Sequence, residues 1–341
     1  MALREAMTAV VVAVPFGLAV SAGAGIDEPD PVFRFEDPAI VESSGLTVLP
    51  DGRFVTVNDS GDEARVFTVD PVTGRTVGVT RWEGAVEDVE SVAPDSADSV
   101  WVGDIGDNRE SRSAIWAIRV PVGEGDRDVP GERVTFSYPE GPANAEALLT
   151  DPRDGRLVVV TKDVLGGTVY VAPDGTRPGS TVELEPVGSA QPLVTDGAFF
   201  PDGRHIVLRN YGRAVVYSWP ELQTVGGFDI PPQQQGEGIA VDADNRVFVS
   251  SEGARAPVLE VALPERLANL VAGEPLTTPE AEEPEPSDEP TLRSREGEEL
   301  PQDDDAGRRD PVPWLIGSAL LLVGLVVLVR SLRPTQQDPP R

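Results

Sequence analysis

The chain has 341 residues and a formal net charge of −30, with 58 acidic against 28 basic side chains. That charge repels phosphate and excludes a nucleic-acid partner. The absence of cysteine removes disulfides, thiolate metal sites and thiol nucleophiles, and a single histidine, His205, removes most Ser-His-Asp and Cys-His chemistry.

At the N-terminus an apolar run follows Arg4 and ends in the small residues Ser21-Ala-Gly-Ala-Gly25. This is the pattern of a signal peptide over residues 1–24, with an uncleaved signal anchor as the alternative.

From residue 32 to residue 264 the chain repeats one unit five times. Each unit opens with a polar or acidic residue, a small residue and a short apolar strand: Ser44-Gly-Leu-Thr-Val48, Glu90-Ser-Val-Ala93, Glu146-Ala-Leu-Leu149, Asp196-Gly-Ala-Phe-Phe200 and Glu237-Gly-Ile-Ala-Val241. A turn such as Pro50-Asp-Gly-Arg53 or Pro201-Asp-Gly-Arg204 follows, a strong hairpin signal because Asp-Gly tolerates positive φ. Second strands fall at 54–57, 100–102, 157–160, 206–208 and 247–249, and third strands at 66–69, 115–120, 168–171, 215–219 and 258–261. Fourth strands fall at 77–82, 134–138, 181–187 and 225–230, and the fifth unit lacks one.

A repeat of this period is a β-propeller, an all-β fold. The spare strand Val32-Phe-Arg-Phe-Glu36 completes the last unit, so the expectation is five four-stranded blades closed by an N-terminal strand, which removes exposed sheet edges. A six-bladed ring is the alternative if segment 120–131 or 263–273 hides another blade. First strands line the crowded axis, which explains the small residue at each opening.

Strand order places the loops entering the first strands and leaving the second strands on one face. The entering set presents Glu42, Glu87, Glu90, Glu146, Asp196 and Glu237. The leaving set presents Asp59, Asp62, Asp104, Asp107, Asn108, Asp163, Asn210 and Glu252, with Arg109, Lys162, Arg209 and Arg255 interspersed. The motifs Val57-Asn-Asp-Ser-Gly-Asp62 and Val102-Gly-Asp-Ile-Gly-Asp-Asn108 align Asp59 on Asp104 and Asp62 on Asp107. Asp-x-Gly-Asp is also a sound turn, so each loop read alone is an Asx-turn before it is a ligand site. Carboxylates converging from every blade repel one another unless a cation, a proton or an arginine compensates. Expected on the ligand-binding face are Asp59, Asp62, Asp104, Asp107, Asn108, Arg109, Arg209 and Glu252. Expected as metal ligands are Glu90, Glu146, Asp196 and Glu237, whose hard oxygens suit calcium or magnesium. Tryptophans 82, 101, 116 and 219 read as packing between blades.

This arrangement resembles NHL-type and related exported propellers. The runs Asn58-Asp-Ser-Gly-Asp62, Glu87-Asp88 and Val102-Gly-Asp-Ile-Gly-Asp-Asn-Arg109 resemble a group of actinobacterial propeller proteins and, more distantly, propellers described as having esterase-like phytase activity. In gluconolactonase-type propellers a Glu, an Asn and an Asp from different blades hold one divalent cation. The resemblance implies a comparable place for Glu90, Glu146, Asp196 and Glu237, although the spacings here do not reproduce that motif set.

Residues 274–310 carry 14 acidic and 4 basic residues and six prolines, the composition of a disordered, extended stalk. Residues 312–329 are uncharged and apolar, and at about 1.5 Å per residue they reach about 27 Å, enough to cross a bilayer. Arg330 and Arg333 begin a cytoplasmic tail over 330–341. The expected topology is a plasma-membrane protein with one C-terminal span and its propeller outside. Three functions fit: a surface module that binds a ligand or protein, a divalent-metal hydrolase of a phosphoester or lactone using Arg109 or Arg209 to meet an anion, or a spacer. The sequence presents no nucleophile–base pair, so the binding module leads and catalysis is left open.

Overall fold

A strand with both faces buried needs consecutive apolar residues, and these strands have them. Leu157 and Val159 pack into one core while Val158 and Val160 of the same strand pack into the next. The structure is a computed structural model that describes residues 30–273 apart from Ser60. The signal peptide, stalk, span and tail expected above lie outside the described residues, and among the described residues no helix is long and apolar enough to cross a membrane.

The described chain is an all-β propeller of five blades. Blade one holds β2 (Ser43–Val48), β3 (Phe54–Asn58), β4 (Arg65–Val69) and β5 (Thr76–Trp82). Blade two holds β6 (Val89–Ser96), β7 (Ser99–Asp104), β8 (Ile115–Pro121) and β10 (Glu132–Ser137). Blade three holds β11 (Ala145–Thr150), β12 (Leu157–Thr161), β13 (Thr168–Val171) and β15 (Glu185–Ser189). Blade four holds β16 (Asp196–Phe199), β17 (His205–Arg209), β18 (Arg213–Ser218) and β19 (Thr224–Asp229). Blade five holds β20 (Gly236–Val241), β21 (Val247–Ser251) and β22 (Pro257–Val261), and β1 (Phe33–Arg34) completes it by pairing antiparallel with β22, Phe33 opposite Val258.

The strand count departs from four per blade in two places. β9 (Arg127–Val129) leaves the connection after β8 and adds in parallel to β5 of the preceding blade. β14 (Thr181–Glu183) does the same on β10, so the segment expected as one strand over 181–187 is split between two blades. Segment 120–131 therefore supplies an outer strand and not a sixth blade. Segment 263–273 forms the helix α1 (Glu265–Val271), whose Leu267 and Val271 cover the core between blades four and five.

Five apolar cores, one between each pair of neighbouring blades, hold the ring together. Trp82, Trp101 and Trp219 are buried in three of them, and Trp116 packs against the same core as Trp82, with Arg112 and Arg133 over its ring. At the axis the inner strands approach so closely that a Cβ on Gly45 would fall 2.5 Å from the Val92 nitrogen, which is why that position is glycine. Asp196 and Ser91 then tie the axis together. The Asp196 carboxylate accepts from Ser91 Oγ (2.9 Å), the Ile239 N–H (2.9 Å) and the Leu46 N–H (3.4 Å), while Ser91 Oγ accepts from the Leu148 N–H (3.0 Å). Two side chains thus reach the inner strands of all five blades.

Candidate functional site

Ser44, Glu90, Glu146, Asp196 and Glu237 hold the same place near the start of the five inner strands. In four blades the pairing register shifts there, between Ser43 and Leu46, Val89 and Ser91, Ala145 and Ala147, and Gly236 and Ile239. A bulge re-aims a side chain out of the ladder. Here the re-aimed groups meet at the axis: Ser44 Oγ lies 3.1 Å from Glu90 Oε2, Glu90 feels the charge of Glu146, and Glu146 of blade three feels Glu237 of blade five.

The mouth has two poles. On the side of blades one and two, carboxylate oxygens of Asp59, Asp88 and Glu90 lie within 4.8 Å of one another. The backbone of Gly106 rests on this trio, where a Cβ would meet Asp88 Oδ2 at 2.4 Å and Glu90 Oε1 at 2.7 Å. Burial, then Glu146, Asp59 and Asp88, push Glu90 up to about 11, so without a bound cation it is protonated at neutral pH. On the opposite side Lys162 Nζ lies 3.0 Å from Glu146 Oε1, which also accepts from Asn144 Nδ2 at 3.1 Å. Burial alone would lower the Lys162 ammonium, but Glu146, Tyr211 and Glu237 outweigh it and hold the group above its ordinary value. Burial raises Glu146 against the pull of Lys162 and Asn144.

Glu237 stands between the poles, 4% exposed, with Oε2 lacking a hydrogen-bond partner among the described residues. Burial, opposed by Lys162, pushes it up to about 7. Glu252, half-buried on the rim, is pushed to about 7 by burial and then by Asp59 and Glu42. Beneath them Arg209 is fully buried. Its Nη1 donates to the carbonyls of Gly238 (3.0 Å) and Ser250 (3.3 Å), its Nε to Asn210 O (3.2 Å) and its Nη2 to Gln233 Oε1 (3.1 Å). Burial brings its value down to about 10, and Glu237 and Asp196 resist that fall. Asp196, raised to about 8 by burial, spends both carboxylate oxygens on the inner strands and closes the floor of the mouth.

The remaining expected residues lie elsewhere. Asp104 does not occupy the place of Asp59. It is fully buried, accepts the N–H groups of Glu87 and Asp88 at 3.0 Å, and pairs with Arg112 Nη1 at 2.9 Å. Its counterpart in blade one is Asn58, which accepts the N–H groups of Val41 and Glu42, so the motif alignment is displaced by one residue and Asp59 alone reaches the mouth. Asp62 is held by Arg65 and Asn58, which keep its carboxyl low in spite of burial. Asp107 accepts the N–H groups of Ser111 and Arg112 as a turn residue. Asn108 and Arg109 are exposed, and the buried cation of that loop is Arg112. Sequence reasoning placed Asp88 only in an acidic pair and overlooked Tyr211 and Arg112. Aligning the residues just before each opening (Glu42, Asp88, Asn144 and Gln235) was the available signal for Asp88.

The sign of the pH dependence follows. Glu90, Glu146, Asp196, Glu237 and Glu252 all have raised folded values, so the stability they add is present below the ordinary carboxylate value and falls as pH rises; for Asp196, Glu237 and Glu252 it is lost as pH passes through about 7 to 8. Glu237 alone accounts for about 3 kcal/mol of that loss. Asp51, Asp62 and Asp151 are depressed and lose their contribution only as pH falls below the ordinary value. The urea midpoint of the cation-free chain is therefore expected to be higher at pH 5 than at pH 8, and a midpoint higher at pH 8 contradicts the arrangement.

No protein-family model matches the chain, and no curated protein matches it. A solved structure described as "Structure of Dos1 propeller" is similar at 11% identity and a TM-score of 0.36, over 66% of this chain. The match spans 59% of that protein's length, and at this level of likeness the fold rests on the five sheets described above.

Proposed function

We propose that the chain is an exported binding module, held at the plasma membrane by residues 312–329 with its propeller outside, and that its axial mouth takes a divalent cation as part of its ligand. The observation that carries the cation is the trio Asp59, Asp88 and Glu90. Two oxygens on one calcium ion, each at its usual bond length of about 2.4 Å, lie at most about 4.8 Å apart, and every pair in this trio meets that limit. Glu146 is close enough to raise Glu90 and is the natural fourth carboxylate. Magnesium, with shorter bonds and a strict octahedron, fits less well. Asp196 is left out of this ligand set because its oxygens already serve the ring.

Calcium at a hundredfold excess over its dissociation constant is expected to stabilise the chain by about 2.7 kcal/mol, a rise in Tm of about 5 °C or more. The gain should shrink in Glu90→Gln and Asp88→Asn. An identical Tm in calcium and in chelator removes the cation from this reading. The topology is checked with intact cells, where external protease should release the propeller, and full protection of the chain counts against export.

The second reading, a metal-dependent phosphoesterase or lactonase, is favoured by one feature. Glu146, a carboxyl raised by burial, lies 3.0 Å from the Lys162 ammonium and close to the Asp59, Asp88 and Glu90 trio, where a group of this kind can pass a proton to or from a substrate held on the cation. Calcium-dependent turnover of p-nitrophenyl phosphate or a simple lactone, abolished in Glu90→Gln, would select it over binding alone.

A further inference from the structure

One side of the mouth is apolar. In the β12–β13 loop Val164 and Leu165 are 72% and 92% exposed, and beside them Leu193, in the loop that enters blade four, is 36% exposed. These side chains are held outward by a knitted backbone. The Asp163 carbonyl accepts the N–H groups of Gly166 (3.4 Å) and Leu193 (2.8 Å), Asp163 Oδ1 accepts the Leu165 N–H (2.8 Å), and the Ala190 N–H donates to Gly167 O (2.7 Å). Leu193 sits at φ 57°, in the left-handed region that a leucine adopts only at a cost in backbone strain. Three neighbouring apolar side chains held toward water on hydrogen-bonded loops form an apolar lip.

The lip borders the polar end of the mouth directly. Lys162 precedes Asp163 in the chain, its ammonium lies 5.3 Å from the Tyr211 ring centre, and it acts on both Glu146 and Glu237. Glu237, which feels the Lys162 charge, has its Oε2 buried without a hydrogen-bond partner among the described residues, and a buried carboxylate oxygen left unpaired is costly. The rest of the rim, Glu42, Asp59, Glu87, Asp88 and Glu252, is acidic, as is the chain at −30. An anionic lipid surface is therefore repelled, and a basic polypeptide is drawn in.

We propose that the mouth and the lip of Val164, Leu165 and Leu193 form one docking surface for a polypeptide segment of a partner protein, carrying a basic side chain flanked by apolar ones. The basic group enters toward Glu237 and supplies the missing donor. The apolar neighbours cover Leu165 and Val164. This rests on reading the mouth as a binding site and is independent of whether a metal occupies the Asp59 pole.

The test is calorimetric titration of the full-length chain with three probes: acetyl-Gly-Leu-Arg-Leu-Gly-amide, the same peptide with citrulline for arginine, and the same peptide with serine for both leucines. The parent peptide is expected to bind, and each altered peptide to bind at least about tenfold more weakly, one for loss of charge and the other for loss of apolar area. The double variant Val164→Ser, Leu165→Ser, both positions exposed, should weaken the parent peptide by about tenfold and leave the serine peptide unchanged. Glu237→Gln should weaken the arginine peptide and spare the citrulline one. Absence of binding by the parent peptide overturns the proposal, as does equal binding of arginine and citrulline. Equal binding of the leucine and serine peptides reduces the ligand to a bare cation and removes the lip. Because the lip variant retains the Asp59 pole, its calcium-dependent Tm shift separates failure of docking from failure of the cation reading.

Discussion

Arg209→Ala is expected to destabilise the chain by at least about 3–5 kcal/mol, enough to leave much of it unfolded. Arg209 is fully buried, and its guanidinium donates to three backbone carbonyls and to Gln233 across blades four and five. Removing it leaves those acceptors unpaired, opens a cavity against the axis, and takes away the positive charge that faces Glu237 and Asp196. The damage should be greater at pH 8 than at pH 5, because Glu237 and Asp196 are protonated at the lower pH and no longer need the cation. Arg209→Lys keeps the charge without the planar fork and should recover only part of the loss. Urea midpoints of the two variants at both pH values decide this. A wild-type midpoint for Arg209→Ala would mean that Arg209 does not support the axis.

Removing residues 30–36 is expected to abolish cooperative unfolding of the propeller. The strand itself is short, but it joins the ends of the ring. The Val32 N–H donates to Val258 O (2.9 Å), the Phe35 N–H to Ala256 O (3.2 Å), and the Glu36 N–H to Gly74 O of blade one (2.8 Å). Phe33 and Phe35 are buried between blades five and one, and Phe33 starts an edge-to-face series through Phe54 to Phe248, each step 5.1 Å between ring centres. Loss of these contacts exposes the edge of β22 and invites aggregation. A milder version avoids ambiguity from misfolding: Phe35→Ala alone should cost about 3–5 kcal/mol. An unchanged calorimetric transition for the truncated chain would show that the ring is held shut elsewhere.

Much of the ring was legible from local pattern. The five openings, the Asp-Gly hairpin turns and the spare strand at Val32 are all written within a few residues of where they act, and β13 falls on the segment 168–171 expected from the repeat. The metal-ligand candidates Glu90, Glu146 and Glu237 do converge, because the same place in each repeat lies at the same place around the axis. The two Asp-x-Gly-Asp motifs misled, since similar residues serve different ends. In blade two Asp104 closes the entering loop, whereas in blade one Asn58 has that task and Asp59 is freed for the mouth. An aspartate that caps a loop and one that faces a mouth have the same local sequence signature. Arg209 was expected on the ligand-binding face, yet nothing adjacent to it in the chain signals burial beneath that face.

By itself the sequence determined the repeat, the closing strand and the small residues at the axis, because each depends on periodicity and turn chemistry within one unit, while the choice between five blades and six waited on the pairing of segments 120–131 and 263–273. Tertiary structure decided which unit a segment serves. β9 and β14 leave their own blades to pair in parallel with the preceding one, and parallel pairing across a long connection has no local periodic mark. Tertiary structure also decided the charge state of the mouth. Glu90 is pushed to about 11 while Glu146 faces Lys162, although both open their blades in the same way. That difference comes from burial and from neighbours on other blades, which no stretch of chain around either residue contains.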